Sequence, residues 1–426
     1  MLILVTGASG FLGRTIAKAL ASAGHDVVGA VRDPVAAARL DVQGRCRYVA
    51  ADFTRDLAAS DWIPRLVGVD IVVNAVGILR EEGAQTFAAL HADAPRALFA
   101  ACAEAGVRRV VQISALGADA QARSRYHLGK KQADDFLLQL PLSAVVVQPS
   151  LVYGTQGASA QVFRLLASLP VIPLPGSGQQ QIQPVHLDDL VAAVVALALR
   201  DPRTGRIALV GPAPVSLQDY LAALRQSMHL GKAHFIRIPE SVIVAAARVG
   251  GSRLGLPDRE TLDMLERGNT AEVAATREVL GHMPRPVSQF IARNEARPES
   301  ILARLAWLAP LLRASIALVW IVTGVLSVGI YPVAESYLLL AQVGVTGLLA
   351  TTMLYGAGIL DLGLGVATLA LRRRRWLWRL QAAIILGYTL IITWKLPEFW
   401  LHPYGPILKN LPLLAAIWLL YELEER

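Results

Sequence analysis

Short apolar runs alternate with helix-period segments through the first two thirds of the chain. Runs at residues 2–5, 26–31, 47–51, 69–73, 107–113 and 142–147 are rich in Val, Ile and Leu. Gly, Asp, Asn or Pro bounds them, the pattern of strands buried on both faces. Between them apolar positions recur every three to four residues, as at 14–23 before Gly24 and from Tyr126 to about Leu138. This alternation predicts an α/β fold: a Rossmann doubly wound parallel sheet with ligands at the carboxyl ends of its strands. Beyond residue 310 the pattern changes. Stretches near 314–331, 355–371, 380–396 and 407–423 carry only Asp361, Lys395, Lys409 and Glu422 between them. Each reaches about 17 residues, the lower limit for a bilayer-spanning helix, and four in succession predict an all-α four-helix transmembrane bundle.

A further apolar stretch, 336–352, is rich in Gly and Thr, and charge decides its reading. Arg372, Arg373, Arg374 and Arg375, with Arg379, form the densest basic cluster and are expected to face the cytoplasm. With a cytoplasmic N-terminal domain, four spans place that cluster and the C-terminus inside, so 336–352 is expected to be re-entrant or interfacial. The expected location is the inner (cytoplasmic) membrane of a bacterium. Segment 301–313 reads as an interfacial linker helix, with an amphipathic 301–308, after a charged helical region 257–297 punctuated by Pro284, Pro286 and Pro298. The domain reading is 1–300, with substrate-side parts roughly 150–300, then 301–313, then 314–426.

Composition sharpens this division. The chain of 426 residues is 54% hydrophobic and 17% charged, which excludes a disordered chain and weighs against a purely soluble enzyme. The net charge of +8 admits either a nucleic-acid surface or the flank of a membrane segment. The basic cluster lies between two apolar spans, so no nucleic-acid partner is expected. Two cysteines, Cys46 and Cys102, make neither a disulfide framework nor a thiolate metal cluster, and no metal is expected.

The first strand runs directly into Thr6-Gly7-Ala8-Ser9-Gly10-Phe11-Leu12-Gly13, with a helix following. In this strand–turn–helix setting Gly7 permits the tight turn, Gly10 the approach of backbone to a diphosphate, and Gly13 the packing of helix on strand. Ser9, Phe11 and Leu12 line the same turn. The second strand ends at Val31-Arg32, where an acidic residue would mark NAD; a guanidinium suits a 2′-phosphate, so NADP(H) is favoured over NAD(H). Asp33 is adjacent and could pair with Arg32. Asp52, after the third strand, is placed to reach the adenine edge.

Ser114 follows the fifth strand, and Tyr126-His127-Leu128-Gly129-Lys130 opens the next helix. Tyr126 and Lys130 share a helix face. The lysine is expected to lower the tyrosine pKa and hold a nicotinamide ribose, the phenol to exchange the proton that accompanies hydride transfer, and the serine to orient a carbonyl. His186, with Asp188 or Asp189 to orient it, is a candidate base; a helix cap is the favoured reading.

Residues 1 to about 300 resemble an atypical short-chain dehydrogenase/reductase, close to the branch containing the nucleotide-binding accessory subunit of respiratory complex I. The resemblance rests on the glycine turn, Val31-Arg32-Asp33-Pro34, Asn74-Ala75-Val76-Gly77, Gln148-Pro149-Ser150-Leu151-Val152-Tyr153-Gly154 and Gln183-Pro184-Val185-His186-Leu187-Asp188-Asp189-Leu190. It implies that Gly7, Gly10, Gly13 and Arg32 bind cofactor phosphates. It places Asp52 at the adenine, Asn74, Ala75 and Val76 at the adjoining ribose, Lys130 at the cofactor, and Pro149 and Ser150 near the nicotinamide. Ser114, Tyr126 and Lys130 match the catalytic triad by type and order. The Ser–Tyr spacing is shorter than in extended members, and Asn74-Ala75-Val76-Gly77 departs from the usual Asn-Asn-Ala-Gly. The tail resembles a DoxX-type four-helix membrane domain through its residues 356–365 and 400–412. Asp361 within a span is a functional candidate, with Lys395, Glu398, His402 and Lys409 as candidate partners. The readings that remain are a membrane-anchored NADP(H)-binding oxidoreductase acting on a carbonyl or quinone-like, lipid-soluble substrate, and a non-catalytic nucleotide-binding scaffold or assembly factor of a membrane redox complex.

Overall fold

The computed structural model describes residues 1–250 and 259–424, so residues 257 and 258 of the charged region lie outside the described residues. The chain divides into two compact units, Met1–Ala303 and Arg304–Arg426.

In the first unit the apolar runs become a seven-stranded, wholly parallel sheet. Its strands are β1 (Leu2–Thr6), β2 (Asp26–Val31), β3 (Arg47–Ala50), β4 (Ile71–Asn74), β5 (Arg109–Ile113), β6 (Ser143–Pro149) and the Gly205–Leu209 strand. The spatial order is β3-β2-β1-β4-β5-β6 and then Gly205–Leu209. The chain thus winds outward both ways from β1 and β4, which puts the switch point between them. Alternation along each strand fills two cores. Ile3, Val5, Val73, Val111 and Val145 pack beneath helix α1 (Phe11–Ser22) and the Leu187–Leu199 helix. Leu4, Val72, Val110 and Val146 pack on the other face against Trp62, Leu98, Phe99 and Leu137. A third cluster around Tyr153, Ile172, Tyr220 and Phe290 belongs to the substrate-side segments.

The starts of β4 and β5 and the end of β6 each lie two residues from where the pattern put them. Val69 and Asp70 precede β4, yet Asp70 is already tied to β1: its N–H donates to Leu2 O at 2.9 Å and its carboxylate accepts the Leu2 N–H at 2.9 Å. β6 continues to Pro149, whose register partner is Leu209; that seventh strand was not among the six expected.

The second unit is helical. Helices Ala296–Ile330 (with its terminal turn), Gly347–Ala370 and Arg375–Lys395 are long and apolar enough to cross a membrane, and Val333–Val343 and Asn410–Leu423 are shorter apolar helices. Pro298 sits in the first turn of the Ala296–Val325 helix, where its missing N–H costs nothing, and 301–308 lies within that helix rather than forming a separate one. The stretch 336–352 is two elements: Val333–Val343 ends at Gly344, whose φ of +94° stops the helix, and Gly347 begins the next. Its core gathers Ile316, Trp320, Leu364, Trp378 and Ile417. Gly358 meets the terminal turn Leu326–Ile330, and Gly365 the Ala296–Val325 helix before it, so closely that an added Cβ would lie 2.4 Å from Val328 Cγ2 and 2.5 Å from Ile321 Cγ1 respectively. Among the described residues Asp361 is buried and unpaired, so Lys395, Glu398, His402 and Lys409 do not form the ion pair expected of them.

Candidate active site

The glycine turn forms as its spacing requires. Gly7 adopts φ +66°, and its N–H donates to Ala30 O at 3.1 Å, tying the turn to β2. A Cβ on Gly13 would stand 2.2 Å from Gly7 O, so α1 reaches the turn only because that position has no side chain. Gly10 caps α1 without a side-chain hydrogen bond, leaving the first-turn N–H groups to an anion. Ser9 is exposed, Phe11 and Leu12 are half-buried, and a Cβ on Gly154 would touch the Phe11 ring at 2.8 Å. The turn is a cradle that a dinucleotide diphosphate fits.

Arg32 is exposed at the end of β2. Asp33 does not pair with it: its carboxylate accepts the Ala36 N–H at 2.9 Å and caps the Pro34–Leu40 helix. Asp52 accepts from the N–H and hydroxyl of Thr54 at 2.9 and 2.8 Å. Burial raises its pKa, but these bonds, with Arg55 and Arg32, outweigh burial and hold it below the usual range. The Asn74 side chain is spent on a buried brace: Oδ1 accepts the Thr6 hydroxyl at 2.5 Å and Nδ2 donates to Gln112 Oε1 at 2.7 Å, linking β1, β4 and β5. The backbone of Ala75 is what faces the turn, its oxygen 3.0 Å from where a Gly7 Cβ would stand. Pro149 is buried and its carbonyl accepts the Leu116 N–H at 2.9 Å, while Ser150 Oγ donates to Gln183 O at 2.6 Å.

Ser124 caps the Arg125–Gln139 helix by accepting the His127 N–H, which fixes Tyr126 in its first turn and Lys130 one turn on. Lys130 is buried and its Nζ donates to Ile113 O at 3.0 Å and Val76 O at 3.3 Å, the carboxyl ends of β5 and β4. Burial pulls its pKa down to about 8, with Asp134 opposing. The expectation that Lys130 lowers the Tyr126 pKa is not met: burial, with the Asp134 charge added, pushes the phenol up to about 12, and the ammonium is turned toward the strand carbonyls. Among the described residues the phenol oxygen has no hydrogen-bond partner; its ring packs edge-on against Phe87 at 5.9 Å and His91 at 5.1 Å. Ser114 is buried, and its hydroxyl donates to Asp134. Ser114, Lys130 and the ends of β4 and β5 therefore come together, with Tyr126 on the same helix face.

Three buried groups here were not singled out from the sequence. His91 Nε2 accepts the Ile78 N–H at 3.0 Å, and burial with the Lys130 charge lowers its pKa to about 2, so it stays neutral. Gln112 and Asp134 complete the polar set. Only Asp134 left a readable signal, lying eight residues after Tyr126 on the same helical stripe.

His186 is the N-cap of the Leu187–Leu199 helix, its Nδ1 accepting the Asp188 N–H at 3.2 Å. Asp189 accepts the Arg285 N–H at 2.7 Å and Asp188 pairs with the Arg285 guanidinium at 2.9 Å. The segment is a cap and brace, as favoured.

Residues 3–211 match the NAD dependent epimerase/dehydratase family, and residues 317–418 match the DoxX-like family. The chain is 29% identical over 251 residues to the ceramide reductase of Caulobacter vibrioides, across 57% of this chain and 75% of that one. It is 27% identical over 298 residues to the mouse mitochondrial NADH dehydrogenase (ubiquinone) 1 alpha subcomplex subunit 9, across 66% and 76%. Over 251 residues it is 28% identical to the Arabidopsis thaliana protein of the same name, spanning 61% of that protein's length. Among solved structures, MoeE5 in complex with UDP-glucose and NAD superposes with a TM-score of 0.52 at 20% identity, over 72% of this chain and 99% of that one, a likeness of fold.

Proposed function

We propose that this chain, in which an epimerase/dehydratase-type oxidoreductase fold is joined to a DoxX-like membrane domain, is a membrane-anchored NADP(H)-dependent reductase acting on a carbonyl or quinone-like group of a lipid-soluble substrate. The observation that carries the reading is the convergence of Ser114 and Lys130 on the carboxyl ends of β4 and β5, with Tyr126 above them on the helix that Ser124 caps. The similarity to a protein named ceramide reductase supports a lipid substrate. Arg32, not engaged by Asp33, supports the 2′-phosphate.

Gly7, Gly10 and Gly13 would hold the diphosphate, Arg32 the 2′-phosphate and Asp52 the adenosine side. When bound, the nicotinamide supplies the hydride. Tyr126 serves as acid: burial keeps its phenol protonated at any physiological pH, and its oxygen has no competing protein partner, so the O–H can donate to a developing alkoxide. Lys130, anchored by two strand carbonyls, keeps a proton free for the ribose. Ser114 holds the substrate oxygen. The helices of the second unit would anchor the protein in the inner membrane of a bacterium, with the nucleotide-binding unit on the cytoplasmic side.

The test is to purify the full chain in detergent, identify any co-purified nucleotide, and follow NADPH oxidation with isoprenoid quinones and long-chain ketones beside water-soluble analogues. Turnover of the lipid substrates, abolished in Tyr126→Phe with nucleotide still bound, is expected. Reaction with water-soluble analogues alone would refute the lipid assignment.

A second reading, a nucleotide-binding scaffold of a membrane redox complex, is favoured by the likeness to the complex I accessory subunit and by the carbonyls that already occupy Lys130. Under it, Tyr126→Phe leaves function in cells unchanged.

A further inference from the structure

The stripe that carries Tyr126 and Lys130 continues to Asp134, one turn further, which the reduction outlined above does not use. Asp134 is 0% exposed. Its Oδ2 accepts the Ser114 hydroxyl, and its Oδ1 is buried without a hydrogen-bond partner. Lys130 and Tyr126 face it from its own helix, Ser114 and Gln112 from the end of β5, and Arg206 from the Gly205–Leu209 strand; Arg206 itself bonds the neighbouring Asp135.

We propose that Asp134 is a positioning residue that sets the direction of the Ser114 hydroxyl hydrogen, and thereby decides whether Ser114 meets the substrate oxygen as acceptor or as donor. This rests on the reading of Ser114 as the residue that contacts that oxygen. A serine hydroxyl has one proton and two lone pairs, and a carboxylate only accepts. With Asp134 ionised, the Ser114 proton is held on Oδ2 and only lone pairs remain for the substrate. They suit an alcohol, whose O–H donates. With Asp134 protonated, the carboxyl O–H donates to Ser114 Oγ, and the serine proton turns toward the substrate, where it suits a carbonyl oxygen. No proton passes from Asp134 to the substrate in either state. Burial pushes this carboxyl up to about 6, against the opposing pull of Ser114, Lys130, Arg206 and Gln112, so the exchange of roles falls between neutral and mildly acidic pH.

The experiment is pH-difference infrared spectroscopy of the full chain in detergent, together with menadione reduction by NADPH. The carbonyl stretch of a buried protonated carboxyl is expected to titrate near pH 6 and to vanish in Asp134→Asn. In Ser114→Ala its midpoint rises by about one unit, because the donor that favours the anion is gone; Ser114→Thr restores it. Wild-type reduction is expected to fall more than about tenfold from pH 5.5 to 7.5, following the protonated fraction, and to be flat in Asp134→Asn, whose amide can donate or accept at any pH. An absent band, a midpoint indifferent to Ser114→Ala, or identical pH profiles for wild type and Asp134→Asn overturns the proposal. Failure of the wild type to reduce menadione at any pH counts against the reductase reading, while the infrared titration still decides the Ser114–Asp134 coupling.

Discussion

Replacing Asp134 by Asn changes how stability depends on pH, and the size of the change follows from burial. An aspartate in an unfolded chain titrates near 3.9, whereas burial pushes the folded Asp134 up to about 6. The folded state therefore holds more protons than the unfolded state between these values. Stability is greatest below the unfolded pKa, falls as pH rises through about 6, and is level above. The full difference is about 3 kcal/mol, of which about 1.4 kcal/mol is lost between pH 5 and 7.5. Asn cannot ionise, so this loss disappears in the variant. Trp62 is a suitable reporter: it is the one tryptophan in residues 1–303, fully buried, with its indole N–H on Asp56 O at 3.0 Å. Urea unfolding of the full chain labelled with 5-fluorotryptophan, in detergent at pH 5 and 7.5 and followed by the fluorine resonance that Trp62→Phe removes, reads the two slopes. Wild type losing stability over this range while Asp134→Asn holds is the expected result. Parallel losses in both proteins would refute the reasoning.

Gly13→Ala places a Cβ 2.2 Å from Gly7 O, so the turn must open; NADPH binding measured by fluorescence titration is expected to fall at least about a hundredfold, from the lost diphosphate contacts. Arg32→Ala removes the charge assigned to the 2′-phosphate and is expected to weaken NADPH by about tenfold or more relative to NADH, read as a ratio of dissociation constants. Gly358→Leu overfills the contact with Val328; detergent-solubilised variant is expected to lose its compact helical unit at lower temperature than wild type, by about 1–3 kcal/mol.

The sheet and the glycine turn were legible because each rests on local rules: buried strands read as unbroken Val and Ile runs, and the turn needs glycine at the positions where a Cβ collides. Ser114, Tyr126 and Lys130 were legible from their order relative to β5. What the sequence hid were partners chosen by tertiary packing. Lys130 goes to the carbonyls of Ile113 and Val76, 17 and 54 residues away, and so does not depress the phenol. His91 and Gln112 are single polar residues in apolar surroundings, with no spacing to mark them. Asp33 read as a possible ion pair, yet the Pro34–Leu40 helix needed a cap and took its carboxylate. In the tail, hydropathy located the apolar helices, but the ends depended on backbone geometry at Gly344, which no window average records.

The two bonds from Lys130 to Ile113 O and Val76 O have an evolutionary consequence. They make this residue a rivet between adjacent strands, in addition to its proposed role toward the cofactor. A descendant that abandoned turnover would still be selected to keep it, and to keep Ser114 for the buried carboxylate it satisfies. The Tyr126 phenol oxygen satisfies nothing in the fold. If Tyr126 is the acid of the proposed reduction, drift at position 126, with 114 and 130 unchanged, is the mark by which catalytic and retired lineages of this architecture can be told apart.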